Sequence, residues 1–342
     1  MPSSAPTPQS ARIDLYSPMP RHLLGLQGID ASELTRLLRK TREMAAMLGQ
    51  GRGGTGVAGS VLAGKVVANL FFEDSTRTRL SFTVAAKRLG ADVIDLLGQN
   101  SSVSKGETLI DTACNIEAMG VSALVVRARQ SGAAALIASR VNIPVLNAGD
   151  GKHEHPTQGL LDTYTLAEAK NRLDSFDLRG LRVAIVGDVA ASRVARSAIA
   201  AMTTLGAEVI CVGPAGLAPK SLESLGCSVT SDLDAIIGSL DAIMMLRIQF
   251  ERYEGARNPS AAATPPPNPV IASVREYRAS YAMTAARAER MKAGAIVMHP
   301  GPINRGIELD AEVADGERSV ILRQVTNGVT VRAAVLRDLI GG

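Results

Sequence analysis

Four polar clusters in this chain carry residue types that could do chemistry. The first is the run 71–82 (FFEDSTRTRLSF), where apolar residues give way to Ser75, Thr76, Arg77 and Thr78. A buried strand ending at Phe72, followed by a helix opened by these hydroxyls, would aim unpaired backbone N–H groups and the positive end of the helix dipole at one spot. Ser75, Thr76 and the Arg77 guanidinium add charge-assisted donors, and the ligand that suits such a spot is phosphate. An ordinary capped helix would account for Ser75 but not for the donors behind it.

The second cluster is 151–158 (GKHEHPTQ). His153 and His155 could be a metal pair, but no third ligand with metal spacing accompanies them, so no metal site is expected. A histidine followed by Pro156 and a helix-starting Thr157–Gln158 reads better as a catalytic donor. The third cluster is 246–252 (LRIQFER), where Arg247 and Gln249 share a face if the preceding strand continues. The fourth is 298–306 (MHPGPINRG), a strand end that turns sharply and exposes backbone carbonyls. Taken singly, each of the last three is an ordinary turn.

Two lookalikes are set aside. Residues 59–65 (GSVLAGK) match the start of a P-loop, but Val66 replaces the Mg²⁺-reaching hydroxyl, and a loop precedes the glycines where a strand is needed. Residues 181–188 (LRVAIVGD) open like a dinucleotide fold, yet Val189 stands where the second glycine belongs.

The elements that must position the clusters alternate. Helices are expected from about Asp30 or Ser32 to Leu48, then over 79–89, 108–119, 133–140 and 158–168. Strands are expected over 65–72, 93–97, 123–126 and 144–146. A second series places strands at 181–188, 208–213, 242–246 and 295–300, with helices at 193–202, 221–225, 284–291 and 330–340. This is the pattern of two parallel-sheet α/β domains, with ligands beyond the carboxyl ends of the strands, where all four clusters lie. The glycine-rich stretch 49–64 and the Pro/Ala-rich stretch 258–269 read as loops, and the Pro/Ser-rich start of the chain as a frayed tail without a signal peptide.

Composition bounds the rest. At 342 residues, two domains are the starting expectation. Apolar residues make up 46% and charged ones 20%, as in a soluble globular chain, with no apolar run long enough to span a membrane. The net charge of +4 is spread without basic runs, and aromatics are only 3% with no Trp, which argues against nucleic-acid binding. Cys114, Cys211 and Cys227 are odd in number and lack metal spacing, as expected of free thiols in a reducing cytoplasm.

Together the motifs FFEDSTRTRLSF, HEHPTQ and HPGPINRG, in this order, resemble the aspartate and ornithine carbamoyltransferases, over roughly residues 14 to 340. Arg193 and Arg247 suit an amino acid with two carboxylates, and His299-Pro300-Gly301-Pro302 stands where the ornithine branch is expected to carry His-Cys-Leu-Pro. The resemblance therefore implies transfer of the carbamoyl group of carbamoyl phosphate to L-aspartate, a step of pyrimidine biosynthesis, by a cytoplasmic enzyme without a cofactor. A carbamoyl-phosphate domain would span 1–155 and an aspartate domain 156–327, with a terminal helix over 328–342 packing back on the first. Ser75, Thr76, Arg77, Thr78, Arg127, His155, Gln158, Pro300 and Gly301 would hold carbamoyl phosphate, with Arg77, Thr78, Arg127 and His155 catalytic. Arg193, Arg247 and Gln249 would orient aspartate, and Glu73 would pair with Arg193 and Arg252 on domain closure. Ser101 and catalytic Lys105 would enter the site of a neighbouring subunit in a homotrimer, Lys105 meeting both substrates. A regulatory chain or a dihydroorotase partner is left open, as are a silent scaffold role in a pyrimidine-pathway complex and a different amino-acid acceptor.

Overall fold

A computed structural model describes residues 22–49, 59–97, 107–248 and 273–341. The first sheet contains β1 (His22–Leu23), β2 (Val66–Phe71), β3 (Asp92–Leu97), β4 (Ala123–Ala128) and β5 (Val145–Asp150), in the order β1-β5-β4-β2-β3. The second contains β6 (Arg182–Val186), β7 (Glu208–Val212), β8 (Ser228–Thr230), β9 (Ala242–Met245) and β10 (Ile296–Met298), in the order β10-β9-β6-β7-β8. Every pairing in both sheets is parallel. Strands such as VVANLF and RVAIV are apolar nearly throughout because helices cover both faces of a parallel sheet.

The covering helices are α1 (Ala31–Met47), α2 (Thr76–Arg88), α3 (Leu109–Ala118), α4 (Ala133–Ala138), α5 (Pro156–Ala169), α6 (Arg193–Thr204), α7 (Leu233–Ile236), α8 (Val274–Tyr281), α9 (Ala285–Arg290), α10 (Ala311–Ala314) and α11 (Ile321–Ile340). Asp30 caps α1, its carboxylate accepting from Glu33 N at 2.8 Å. Helix α5 packs on β5 of the first sheet and on α6 of the second, so it stands at the junction of the two halves. Helix α11 returns to pack on α1, α2 and α5, as the expected terminal helix should.

Three expectations are corrected. Helix α11 begins at Ile321, nine residues before the expected Thr330, running straight through Asn327 and Gly328. Gly328 reads as a breaker in sequence, but a Cβ there would lie 2.6 Å from Arg332 Nη1; the glycine makes room for a buried arginine. Strand β9 stops at Met245, so the strand does not continue through Arg247, which lies beyond it in the cleft wall. The expected helix at 221–225 is a 3₁₀ turn over Lys220–Leu225.

Candidate active site

The carboxyl ends of β2, β4 and β5 face those of β6, β9 and β10 across a cleft of about 870 Å³. Among the described residues its lining carries seven basic side chains, Arg77, Arg127, Arg129, Lys152, Arg193, Arg247 and Arg332, against only Glu73 and Asp74, so the cleft is built for anions.

The phosphate-type cluster sits where β2 passes into α2. Ser75 is the N-cap in an extended conformation, yet its hydroxyl makes no capping bond, and the first turn carries no acidic residue. The N–H groups of this turn and the Ser75 and Thr76 hydroxyls thus face the cleft with the Arg77 side chain. Thr78 follows on the same turn, buried. Burial, and then the positive charge of Arg247 from the opposite domain, holds the Arg77 guanidinium below its usual pKa. Two cations are held close to one another with space for an anion between the halves.

Glu73 ties the halves together. Arg193, the first residue of α6, donates to it at 3.0 and 2.5 Å, and Arg127 on β4 donates to it at 2.9 Å. Arg193 also donates to Gly151 O at 3.2 Å, and Arg127 to Ala148 O at 3.0 Å. A register shift between β4 and β5 flanks Arg127, as bulges beside sites often re-aim a side chain. Gly149, at φ +115°, is opposite: a Cβ there would lie 2.8 Å from Arg193 Nε and 3.1 Å from Arg127 Nη1.

His155 is the N-cap of α5 and lines the cleft, 3% exposed, with no hydrogen bond to either ring nitrogen among the described residues. Its position is set from behind. The His155 backbone N donates to Ser197 Oγ at 2.9 Å, and Ser197 donates to buried Glu154 at 2.7 Å, which also accepts from Leu26 N at 2.8 Å. Burial, then the charges of Arg332, Arg127 and Arg193, holds its pKa well below the usual imidazole value. The imidazolium form is therefore disfavoured here, and the ring stands buried in the cleft wall with both nitrogens unpartnered among the described residues. His153 plays no such part, as its ring is paired with Asp150 at 3.1 Å. Among the described residues, no cluster of three or more His, Cys, Asp or Glu is placed to hold a metal.

The 299–302 turn closes the cleft. Gly301 N donates to His299 Nδ1 at 2.8 Å, which leaves Nε2 to donate to buried Glu308 at 3.2 Å. Gly301, at φ +71°, lets the turn approach Arg77, whose Cζ would be 3.2 Å from a Cβ there. Pro300 and Gly301 line the cleft beside Gln158, whose Nε2 donates to Asp162 at 2.9 Å.

The structure thus gathers Glu73, Ser75, Thr76, Arg77, Thr78, Arg127, His155, Gln158, Arg193, Arg247, Pro300 and Gly301 at one cleft. Ser101, Lys105, Gln249 and Arg252 lie outside the described residues. Sequence reasoning missed Arg332 and Gln324, both on α11 and both in the cleft wall. Arg332 is 4% exposed, stacks 5.2 Å from the Phe82 ring centroid and donates to Ser81 Oγ at 2.9 Å. Burial pushes it down to about 10. The signal available was an arginine set in an apolar run, VTVRAAVL, where a surface charge would break the helix's buried stripe.

Residues 21–168 match the family described as "Aspartate/ornithine carbamoyltransferase, carbamoyl-P binding domain", and residues 179–339 match its "Asp/Orn binding domain". The chain is 54% identical over 316 residues to the aspartate carbamoyltransferase catalytic subunit of Myxococcus xanthus, covering 92% of this chain and 98% of that one. It is 48% identical to the corresponding Salinispora arenicola subunit, over 95% of this chain and 99% of that one. In structure it resembles aspartate transcarbamoylase from Trypanosoma cruzi in complex with carbamoyl aspartate and phosphate, with a TM-score of 0.78, 28% identity and coverage of 95% and 97% of the two chains. Ornithine carbamoyltransferase from Pyrococcus furiosus has a TM-score of 0.75 at 27% identity, over 94% and 98%. The family description and the relatives fall on the same two halves whose strand ends build the cleft, and the chain belongs to the aspartate/ornithine carbamoyltransferase family.

Proposed function

We propose that this chain transfers the carbamoyl group of carbamoyl phosphate to the α-amine of L-aspartate, giving N-carbamoyl-L-aspartate and phosphate. The observation that carries the reading is the meeting of Arg77, at an uncapped helix N-terminus, with Arg247 of the other domain across a basic cleft. One dianion docks on the α2 terminus, and a second anion docks against the opposite domain.

Phosphate lies on Ser75, Thr76, Arg77 and Thr78. Thr78, Arg127 and His155 surround the carbamoyl oxygen, and their donors strengthen as it becomes the oxyanion of the tetrahedral intermediate. His155 serves as a neutral donor, which its suppressed basicity supports. The carbamoyl NH₂ meets Gln158 and the carbonyls of Pro300 and Gly301. Aspartate is held by Arg193, Arg247 and Gln249, and its neutral amine attacks the carbamoyl carbon. The departing phosphate accepts the amine proton, so the reaction runs through positioning and charge stabilisation without a covalent enzyme intermediate. Glu73, already paired with Arg193, acquires Arg252 as the domains close.

The chain works as a cytoplasmic homotrimer in this reading, with Ser101 and Lys105 reaching a neighbour's cleft. The carbamoyl-phosphate domain covers 1–155, with 328–342 packing back on it, and the aspartate domain covers 156–327 and opens with α5. The intact set of Arg77, His155 and Arg247 speaks against a silent scaffold. The deciding assay offers aspartate, ornithine and other amino acids side by side with carbamoyl phosphate. Turnover with aspartate alone supports the reading; preference for ornithine or no turnover overturns it.

A further inference from the structure

Asp162 is not among the residues lining the cleft, yet it is bonded to Gln158 and, through Gln324, to the 299–302 turn, the two parts of the wall placed above beside the carbamoyl NH₂. It lies one turn after Gln158 on α5 and is fully buried. Its Oδ1 accepts from Gln158 Nε2 at 2.9 Å and from Gln324 Nε2 at 2.8 Å. Gln324, reaching in from α11, accepts at its other end from the backbone N of His299 at 2.9 Å.

A primary amide has one donating end and one accepting end. Asp162 Oδ1 takes the donating end of both glutamines, which fixes what each presents elsewhere. Gln158 is left with its Oε1 toward the cleft, and Gln324 with its Oε1 toward the first N–H of the 299–302 turn. Reversed, Gln158 would offer NH₂ to a substrate NH₂, and Gln324 would set a donor against a donor. Oδ1 keeps its accepting role in either charge state, because Oδ2 has no partner among the described residues and is where a proton would reside. Burial pushes the Asp162 carboxyl up to about 7 against the pull of both amides and of Arg332.

We propose that Asp162 is a positioning residue that makes the site selective for the NH₂ of its carbamoyl donor. It does so by fixing the accepting end of Gln158 and, through Gln324, the turn that carries the Pro300 and Gly301 carbonyls. The inference rests on the placement of the carbamoyl group proposed above. A site built to accept from an NH₂ group penalises an analogue that lacks it, since its buried acceptors are then left unpaired. Acetyl phosphate is that analogue: the phosphate is the same and a methyl replaces the NH₂.

The test measures KM for carbamoyl phosphate and the inhibition constants of acetyl phosphate and inorganic phosphate, in the wild type, Asp162→Asn, Gln324→Met and Gln158→Ala, with thermal melts of each. In Asp162→Asn the new side-chain amide can donate to Gln158 and turn its amide round. This variant should therefore raise KM for carbamoyl phosphate roughly tenfold or more while both inhibition constants stay within about threefold. Gln324→Met keeps the volume and the Asp162–Gln158 bond, and should show a smaller loss of the same kind; it decides the matter alone if Asp162→Asn does not fold. Equal weakening of all three ligands, or no change in any, overturns the role of Asp162. If Gln158→Ala abolishes the carbamoyl preference and Asp162→Asn keeps it, Asp162 fails alone. If the wild type shows no such preference, or Gln158→Ala retains it, the placement of the carbamoyl group fails instead.

Discussion

Glu73 and Arg193 hold each other from opposite halves of the molecule, through two hydrogen bonds of 3.0 and 2.5 Å at the base of the cleft. The same carboxylate accepts from Arg127, so one negative charge stands between two guanidiniums that both line the cleft. Removing that charge leaves two guanidiniums of the cleft wall beside one another with one carboxylate fewer to offset them. Glu73→Gln should raise KM for aspartate and lower kcat about tenfold or more, with binding of inorganic phosphate kept or strengthened. Steady-state kinetics and phosphate titration check both halves; weaker phosphate binding would show that Glu73 serves the first substrate instead.

Arg77→Ala removes the charge-assisted contact proposed for the dianion at the α2 terminus, where the hydroxyls of Ser75 and Thr76 and the helix N–H groups carry no full charge to replace it. The loss in transition-state stabilisation should be on the order of 3 kcal/mol or more, a hundredfold or greater in kcat/KM. Phosphate should also inhibit the variant less. Turnover near that of the wild type would remove this loop from the site.

Arg247→Ala should raise KM for aspartate and lower kcat while carbamoyl phosphate binds alone much as before. Arg247 stands on the second domain, after β9, and lines the cleft where the proposed reading puts the second substrate. Its loss should also relieve the charge that disfavours the Arg77 guanidinium. Equal loss of affinity for both substrates would contradict this division of labour.

His155 gives a pH prediction with a definite sign. Its folded pKa lies below the unfolded value of 6.5 because burial and three arginines disfavour the imidazolium. Below pH 6.5 the unfolded chain binds a proton that the folded chain refuses, so this contribution to stability is full above pH 6.5 and is lost as pH falls. Relative to His155→Asn, the wild type should lose at most about 1.4 kcal/mol per pH unit below 6.5. Thermal melts of both proteins at pH 7.5 and 5.5 test this. An unchanged gap in Tm would mean that the ring accepts its proton in the folded state.

The trimer proposal has its own test. If each site joins Arg77 of one chain to Lys105 of its neighbour, Arg77→Ala and Lys105→Ala trimers should each be nearly inactive. Around a mixed ring, one interface always joins an intact Arg77 to an intact Lys105. Equal mixing gives mixed trimers about three times in four with one native site in three, so roughly a quarter of the sites should recover. Recovery is assayed after the two variants are dissociated together and reassembled. No recovery in demonstrably mixed trimers would exclude Lys105 from the neighbour's site.

What the sequence by itself determined is local. The apolar strands, the alternation of strand and helix, and the clusters 71–82, 151–158 and 298–306 are contiguous signals, each legible because a strand end, a turn and a helix start fall within a few residues. They marked His155, Arg77 and the Pro300–Gly301 turn, and the structure brings these to one cleft. Only the tertiary structure decided how distant residues complete that cleft. Arg332 lies 255 positions after Arg77, and it reaches the wall because α11 folds back on α2 and α5. The start of α11 at Ile321 was hidden for the same reason: Gly328 breaks a helix on propensity, and only the packing of Arg332 and Leu161 against it explains why a Cβ there would be crowded. The bond between Glu73 and Arg193, 120 residues apart, exists because two separate sheets set their strand ends face to face. Periodicity and composition report which face of an element is buried, and carry no information on which other element it meets. Asp162 shows the limit most plainly, as a carboxylate on a helix reads as a surface charge until its two glutamine partners, from α5 and α11, are seen to enclose it.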